Sequence, residues 1–300
     1  MSLIIEDILE LPDVLPAGVG ADPERAFRRL ADTAALWYAP GGRVLIVSFD
    51  NLATLDHPYP RKPWLLSRLQ ELGYSVLGVQ SFAKDWYRNP DAAPLLRGLE
   101  AEGFFRTFDR VIFIGASMGA FAAINLATLV PDAVVIALSP QSTMSKAIAP
   151  FEDRFRWAVR RSDWTTPDFL DAAISARRLS QLVLLYDGSE TNDRLHAERL
   201  NGPNVQLLRV DHSTHEAVRV VLKCGALAPL IRDVAATGRV GPDFWTAMRN
   251  RRSVRKWART FFSAVTAKGQ PRRIRAAASA LLKQEDYLFV TQALKSLEQK

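Results

Sequence analysis

The chain has 300 residues, enough for one large α/β domain or two small ones with a well-buried core. With 48% hydrophobic and 24% charged residues it is not a disordered chain. No apolar run approaches the roughly 18 residues of a membrane-spanning helix, and the single cysteine, Cys224, leaves no internal disulfide framework.

The net charge of +7 is unevenly placed. Residues 240–300 hold 13 Lys/Arg against 4 Asp/Glu, a surplus of +9, whereas the other 239 residues hold 26 against 28 and carry −2. The basic character therefore belongs to the tail. The chain begins Met1-Ser2-Leu3-Ile4-Ile5-Glu6-Asp7, with acids where a secretory signal would be basic. No signal peptide is expected, and the lone thiol, set among Val220, Val221 and Leu222, suits packing in a reducing, cytoplasmic setting. Residues 1–42 are expected to form a helical or irregular lead-in.

From residue 43 the pattern becomes regular. Short apolar runs rich in β-branched residues occur at 43–49, 74–79, 111–115, 133–138, 182–186 and 205–210. They are too short for helices, and continuous apolarity rather than alternation is what strands covered on both faces show. Helical patterns lie between them at 62–72, 116–129, 195–200 and 216–222, the first with Trp64, Leu65, Leu66, Leu69 and Leu72 on one stripe. Such alternation predicts an α/β fold with a doubly wound, mostly parallel sheet over residues 43–240. Residues 141–180 form either a small cap or a crossover with an extra helix. Residues 241–300 predict a basic α-helical tail, broken at Lys268-Gly269-Gln270-Pro271.

The sequence Gly115-Ala116-Ser117-Met118-Gly119 fits G-x-S-x-G. Alone the pattern is weak, but here a strand run precedes it and a helical run follows. That strand–turn–helix setting is what an exposed serine nucleophile requires, with small residues on both sides of a strained turn. It lacks both the Lys-Ser/Thr ending of a phosphate-binding loop and the third glycine of a dinucleotide turn. At this point residues 43–230 resemble the α/β-hydrolase superfamily, whose order is serine, acid, histidine, with the acid and the base after the last two core strands. Asp187 to Asp193 and Asp211 to Glu216 stand in those two places.

The resemblance implies Ser117 as nucleophile, Asp193 as acid and His215 as base, with Asp187 and His212 as alternatives. Glu190 is a remote third acid. It implies an oxyanion hole from the backbone N–H of Met118 and a donor in the loop after the first run, assigned to Asn51 or its neighbour Asp50. Trp86 and Arg88, after the second run, are candidates for substrate contact. His196, inside a helical pattern, is expected to be solvated.

The implied activity is that of a serine hydrolase cleaving a carboxylic ester of a small-molecule substrate through an acyl-serine, with no metal and no cofactor. Acyl transfer to a sugar or other alcohol and a non-catalytic binding protein are the alternatives. The tail could meet an anionic surface or a protein partner, although it matches no nucleic-acid-binding module. Its blander reading is a helical hairpin with a solvated basic face.

Overall fold

The computed structural model describes residues 21–298, so most of the expected lead-in's first half, including the acidic start, lies outside the described residues. Among the described residues an eight-stranded sheet runs β1 (Phe27–Leu30), β2 (Ala34–Ala39), β3 (Val44–Phe49), β4 (Ser75–Ser81), β5 (Arg110–Ala116), β6 (Val134–Leu138), β7 (Gln181–Tyr186) and β8 (Val205–Arg209). Its spatial order is β1-β2-β4-β3-β5-β6-β7-β8. Strands β4, β3, β5, β6 and β7 pair in parallel, while β2 lies antiparallel to both β1 and β4. The result is a mostly parallel sheet of the kind expected.

The physical reason is visible in the strands. Phe113, Ile114, Val135, Ile136, Val183 and Leu184 are all fully buried, so these strands have no solvent face and need helices on both sides. The helices that supply them include Leu66–Glu71, Ala92–Ala101 and Met118–Leu126. Every residue of Met118–Leu126 is buried, which fits its run of small and apolar side chains.

Residues 27–39 are not a helical or irregular lead-in. They form β1 and β2, with all six residues of β2 fully buried. Tyr38 is held there by edge-on contacts with Phe104 and by a hydrogen bond from its hydroxyl to the Pro23 carbonyl. Residues 141–180 hold two short helices, Arg156–Val159 and Ala172–Ala176. Residues 241–298 are helical, over Pro242–Met248, Arg255–Thr266, Pro271–Leu282 and Leu288–Glu298. Each expected long helix in this tail is divided once, by a 3₁₀ turn at Arg249–Ser253 and by a break after Leu282.

The described residues divide into two compact units, 21–185 with 195–208, and 186–194 with 209–298. The first carries the sheet and Ser117. The second joins the segments that follow β7 and β8 to the basic tail. No helix among the described residues is long and apolar enough to cross a membrane.

Candidate active site

In the first unit, Ser117 follows β5 directly and begins the helix Met118–Leu126. Its backbone sits at φ 53°, ψ −117°, a region that non-glycine residues avoid at a cost of about 1–3 kcal/mol. Two close approaches explain the flanking glycines. A Cβ on Gly115 would collide with the Gly119 carbonyl, and one on Gly119 would stand 2.6 Å from the Asp50 carbonyl oxygen. The turn is therefore as tight as the motif demands. Met118 occupies the first position of its helix, where a backbone N–H has no intrahelical acceptor and can point at an incoming anion.

Sequence reasoning missed Gln141. This fully buried side chain, three residues beyond β6, donates from Nε2 to Ser117 Oγ at 3.1 Å. Its Oε1 accepts from the indole N–H of Trp86 at 3.1 Å. An indole nitrogen can only donate, so the carboxamide oxygen must face Trp86 and the NH₂ must face Ser117. The orientation of the amide is thus set by chemistry and not by choice. No pattern marks Gln141 in sequence; only its place after a parallel strand, on the edge where ligands bind in open sheets, could have drawn attention to it.

Several expected contacts are corrected. Asn51 is a turn residue: its N–H donates to Thr54 Oγ1 at 2.9 Å and its Oδ1 accepts from the N–H groups of Ala53 and Thr54. Its backbone N–H is therefore spent inside the turn and is not an oxyanion donor. The neighbouring Asp50 spends its N–H on the Val79 carbonyl and its carboxylate on Arg61, at 2.5 Å in a buried ion pair. Burial presses the Asp50 carboxyl upward while Arg61 opposes it. Trp86 is fully buried against Phe155 and Trp164, with ring centroids 5.9 and 6.2 Å away, so it supports Gln141 instead of touching a substrate. Arg88 donates to the backbone carbonyls of Asp163, Thr166 and Asp168, clasping that segment. A guanidinium so occupied is not a substrate anchor.

His196 is likewise not solvated. It is fully buried, its Nδ1 accepting from the Ser142 N–H at 3.0 Å and its Nε2 donating to Glu152 Oε2 at 3.0 Å. Burial would raise Glu152, but hydrogen bonds from His196 and Arg154 outweigh it and bring the carboxyl down to about 2. Arg199 closes the cluster by donating to Ser142 Oγ and Asp171 Oδ2.

In the second unit, His215 Nδ1 lies 2.8 Å from Asp193 Oδ1, and Asp193 is buried. An ionised carboxylate only accepts, so Nδ1 carries the proton and Nε2 is the basic nitrogen. The alternative residues, Asp187 and His212, make other contacts. Asp187 is fully buried and accepts from the N–H groups of Ser189, His212 and Thr214, at 2.7, 3.1 and 2.6 Å, and from Ser189 Oγ at 2.5 Å. It ties together the turns after β7 and β8. His212 has φ 67° and sets its ring edge-on to Trp257 and Phe261, with centroids 6.2 and 5.5 Å away. Cys224 is buried and its thiol is pushed up to about 11 by that burial, as a packing residue should be.

No protein-family model matches the sequence, and no curated protein matches it. Among solved structures, the chain is similar to a capsule O-acetyltransferase of Neisseria meningitidis serogroup A, at 10% identity over 71% of this chain and 97% of that one, with a TM-score of 0.45. It is also similar to an esterase of Pyrococcus furiosus at 18% identity over 67% and 87%, with a TM-score of 0.39. An S-formylglutathione hydrolase from Agrobacterium tumefaciens follows at 14% identity over 72% and 95%, with a TM-score of 0.42. By its strand order, its single antiparallel flank and the strained serine turn after β5, the chain has an α/β fold of the α/β-hydrolase type.

Proposed function

We propose that the protein is a serine hydrolase that cleaves a carboxylic ester of a small molecule through an acyl-serine intermediate. The observation that carries this reading is the backbone of Ser117. A residue other than glycine is held in a costly conformation between a strand and a helix, where packing alone would favour relaxation. The paired Asp193 and His215 support it, because together they make an oriented base.

In the proposed reaction His215 Nε2 takes the Ser117 proton as Oγ attacks the ester carbonyl. Asp193 holds the imidazole in the required tautomer and stabilises its cation. The negative charge that develops on the carbonyl oxygen is met by the Met118 N–H and by the Gln141 amide, each such donor contributing about 3 kcal/mol to the barrier reduction. Oγ accepts from Gln141, and a hydroxyl that accepts a hydrogen bond can donate its own proton as well. The imidazolium returns its proton to the departing alcohol, and water then repeats the sequence on the acyl-serine.

A fluorophosphonate probe tests the proposal. Labelling of the wild type and none of Ser117→Ala is the expected result, whereas a folded wild type that stays unlabelled overturns it. Turnover of an acyl-ester panel with and without added alcohols then separates water from an alcohol as the acyl acceptor.

A further inference from the structure

We infer that the basic tail contains a binding pocket for an amphipathic phosphate monoester, a phosphate dianion carried on an apolar, planar body. The pocket lies within the second unit, encloses about 420 Å³ and is lined by Trp245, Trp257, Phe261, His212, Arg251 and Arg252 among others. That volume falls within the range of small-molecule sites, about 300–1,000 Å³.

Its walls are of two kinds. Trp257 and Phe261 stack with centroids 5.0 Å apart and planes 10° from parallel, and the His212 ring stands edge-on to both. Trp257 is fixed there by its indole N–H, which donates to the Asp211 carbonyl at 2.8 Å. Trp245, by contrast, is 41% exposed, a large apolar side chain left facing solvent. This is a rigid aromatic surface on which a flat or acyl body loses water at little entropic cost.

The polar side is cationic and unbalanced. Arg209 is neutralised by Asp211 at 2.7 Å. Arg251 and Arg252 form no ion pair with any carboxylate among the described residues. Arg251 is half-buried, donates once to the Met248 carbonyl, and lies with Cζ 5.3 Å from the Trp257 ring. Burial lowers the Arg251 guanidinium and the like charge of Arg252 lowers it further. Two guanidiniums that repel each other, Arg251 half-buried and Arg252 exposed at the pocket's edge, are each stabilised by the same dianion, and their planar donors match phosphate oxygens. The proposal is independent of the Ser117 chemistry.

Isothermal titration of the full chain with 1-naphthyl phosphate tests it, with inorganic phosphate, 1-naphthol and phosphatidylserine vesicles as the other arms. The expected result is saturable binding of one equivalent of the ester, with phosphate and naphthol each at least about tenfold weaker. Arg251→Gln with Arg252→Gln should weaken the ester at least about tenfold while the far-ultraviolet circular dichroism and melting temperature hold. Trp245→Leu should weaken the ester and leave inorganic phosphate unchanged. The proposal is overturned if the folded chain takes up no ester, if the double arginine variant binds it equally well, or if only the vesicles bind.

Discussion

The indole N–H of Trp86 donates to Gln141 Oε1, and this one bond decides which end of the carboxamide faces Ser117. Gln141→Leu should therefore lower kcat about 10²-fold or more with a smaller change in KM, as loss of a transition-state donor does. Trp86→Phe keeps most of the packing but frees the amide to turn, and should give an intermediate loss. Ester-hydrolysis kinetics of the two variants provide the check; a change confined to KM in Gln141→Leu would argue against the donor role.

The two buried acids of the second unit are separable by experiment. Asp193→Asn should reduce kcat about 10³- to 10⁴-fold with the melting temperature nearly unchanged, since it removes the carboxylate that orients His215. Asp187→Asn should do the reverse, costing stability because it replaces an acceptor of four hydrogen bonds with a group that must aim an NH₂ at some of the same donors. Kinetics beside thermal melts distinguish them. His215→Gln and His212→Gln divide likewise, with loss of turnover expected only in the first.

The strained serine predicts a trade of activity for stability. Ser117→Gly should raise stability by about 1 kcal/mol, because glycine adopts φ 53° without penalty, while abolishing turnover. Gly119→Ala should lose both, since its new methyl would meet the Asp50 carbonyl. Chemical denaturation curves are the measurement. A Ser117→Gly protein less stable than wild type would mean that the strain is not relieved by removing the side chain.

Stability should fall in acid partly through Glu152. Its carboxyl is held near 2 in the folded chain against an ordinary 4.5, so the contribution is present above about pH 4.5 and is lost as pH drops toward 2. The size is on the order of 3 kcal/mol. Glu152→Gln should flatten the wild-type slope of unfolding free energy between pH 4.5 and 2.5, measured by denaturant titration at several pH values.

Sequence made the parallel core legible because those strands depend on local composition. Val, Ile and Leu in short unbroken runs leave few alternatives, and all six runs became strands. Strands β1 and β2 were hidden because Phe27-Arg28-Arg29-Leu30 and Ala34-Ala35-Leu36-Trp37-Tyr38-Ala39 carry no β-branched residue; the pairing of β2 with β4, and of β1 with β2, makes them strands. The serine turn was legible from its glycines. That backbone amides bond to Asp187 while His215 bonds to Asp193 could not be read from spacing, which holds no record of such contacts. Arg88 misled for the same reason: its partners are main-chain carbonyls some 75 to 80 residues away, invisible as side-chain chemistry.

The close seat of Gly119 against the Asp50 carbonyl has a dynamic consequence. With no side chain between them, the start of the helix and the end of β3 cannot slide apart without exposing main chain that is otherwise sealed. The amides of Phe121 through Leu126 should therefore exchange with deuterium only through rare, large openings, hours behind those of the peripheral turns. Ser117 heads this segment, so slow exchange there would mean that any flexibility a bound molecule requires comes from the surrounding loops.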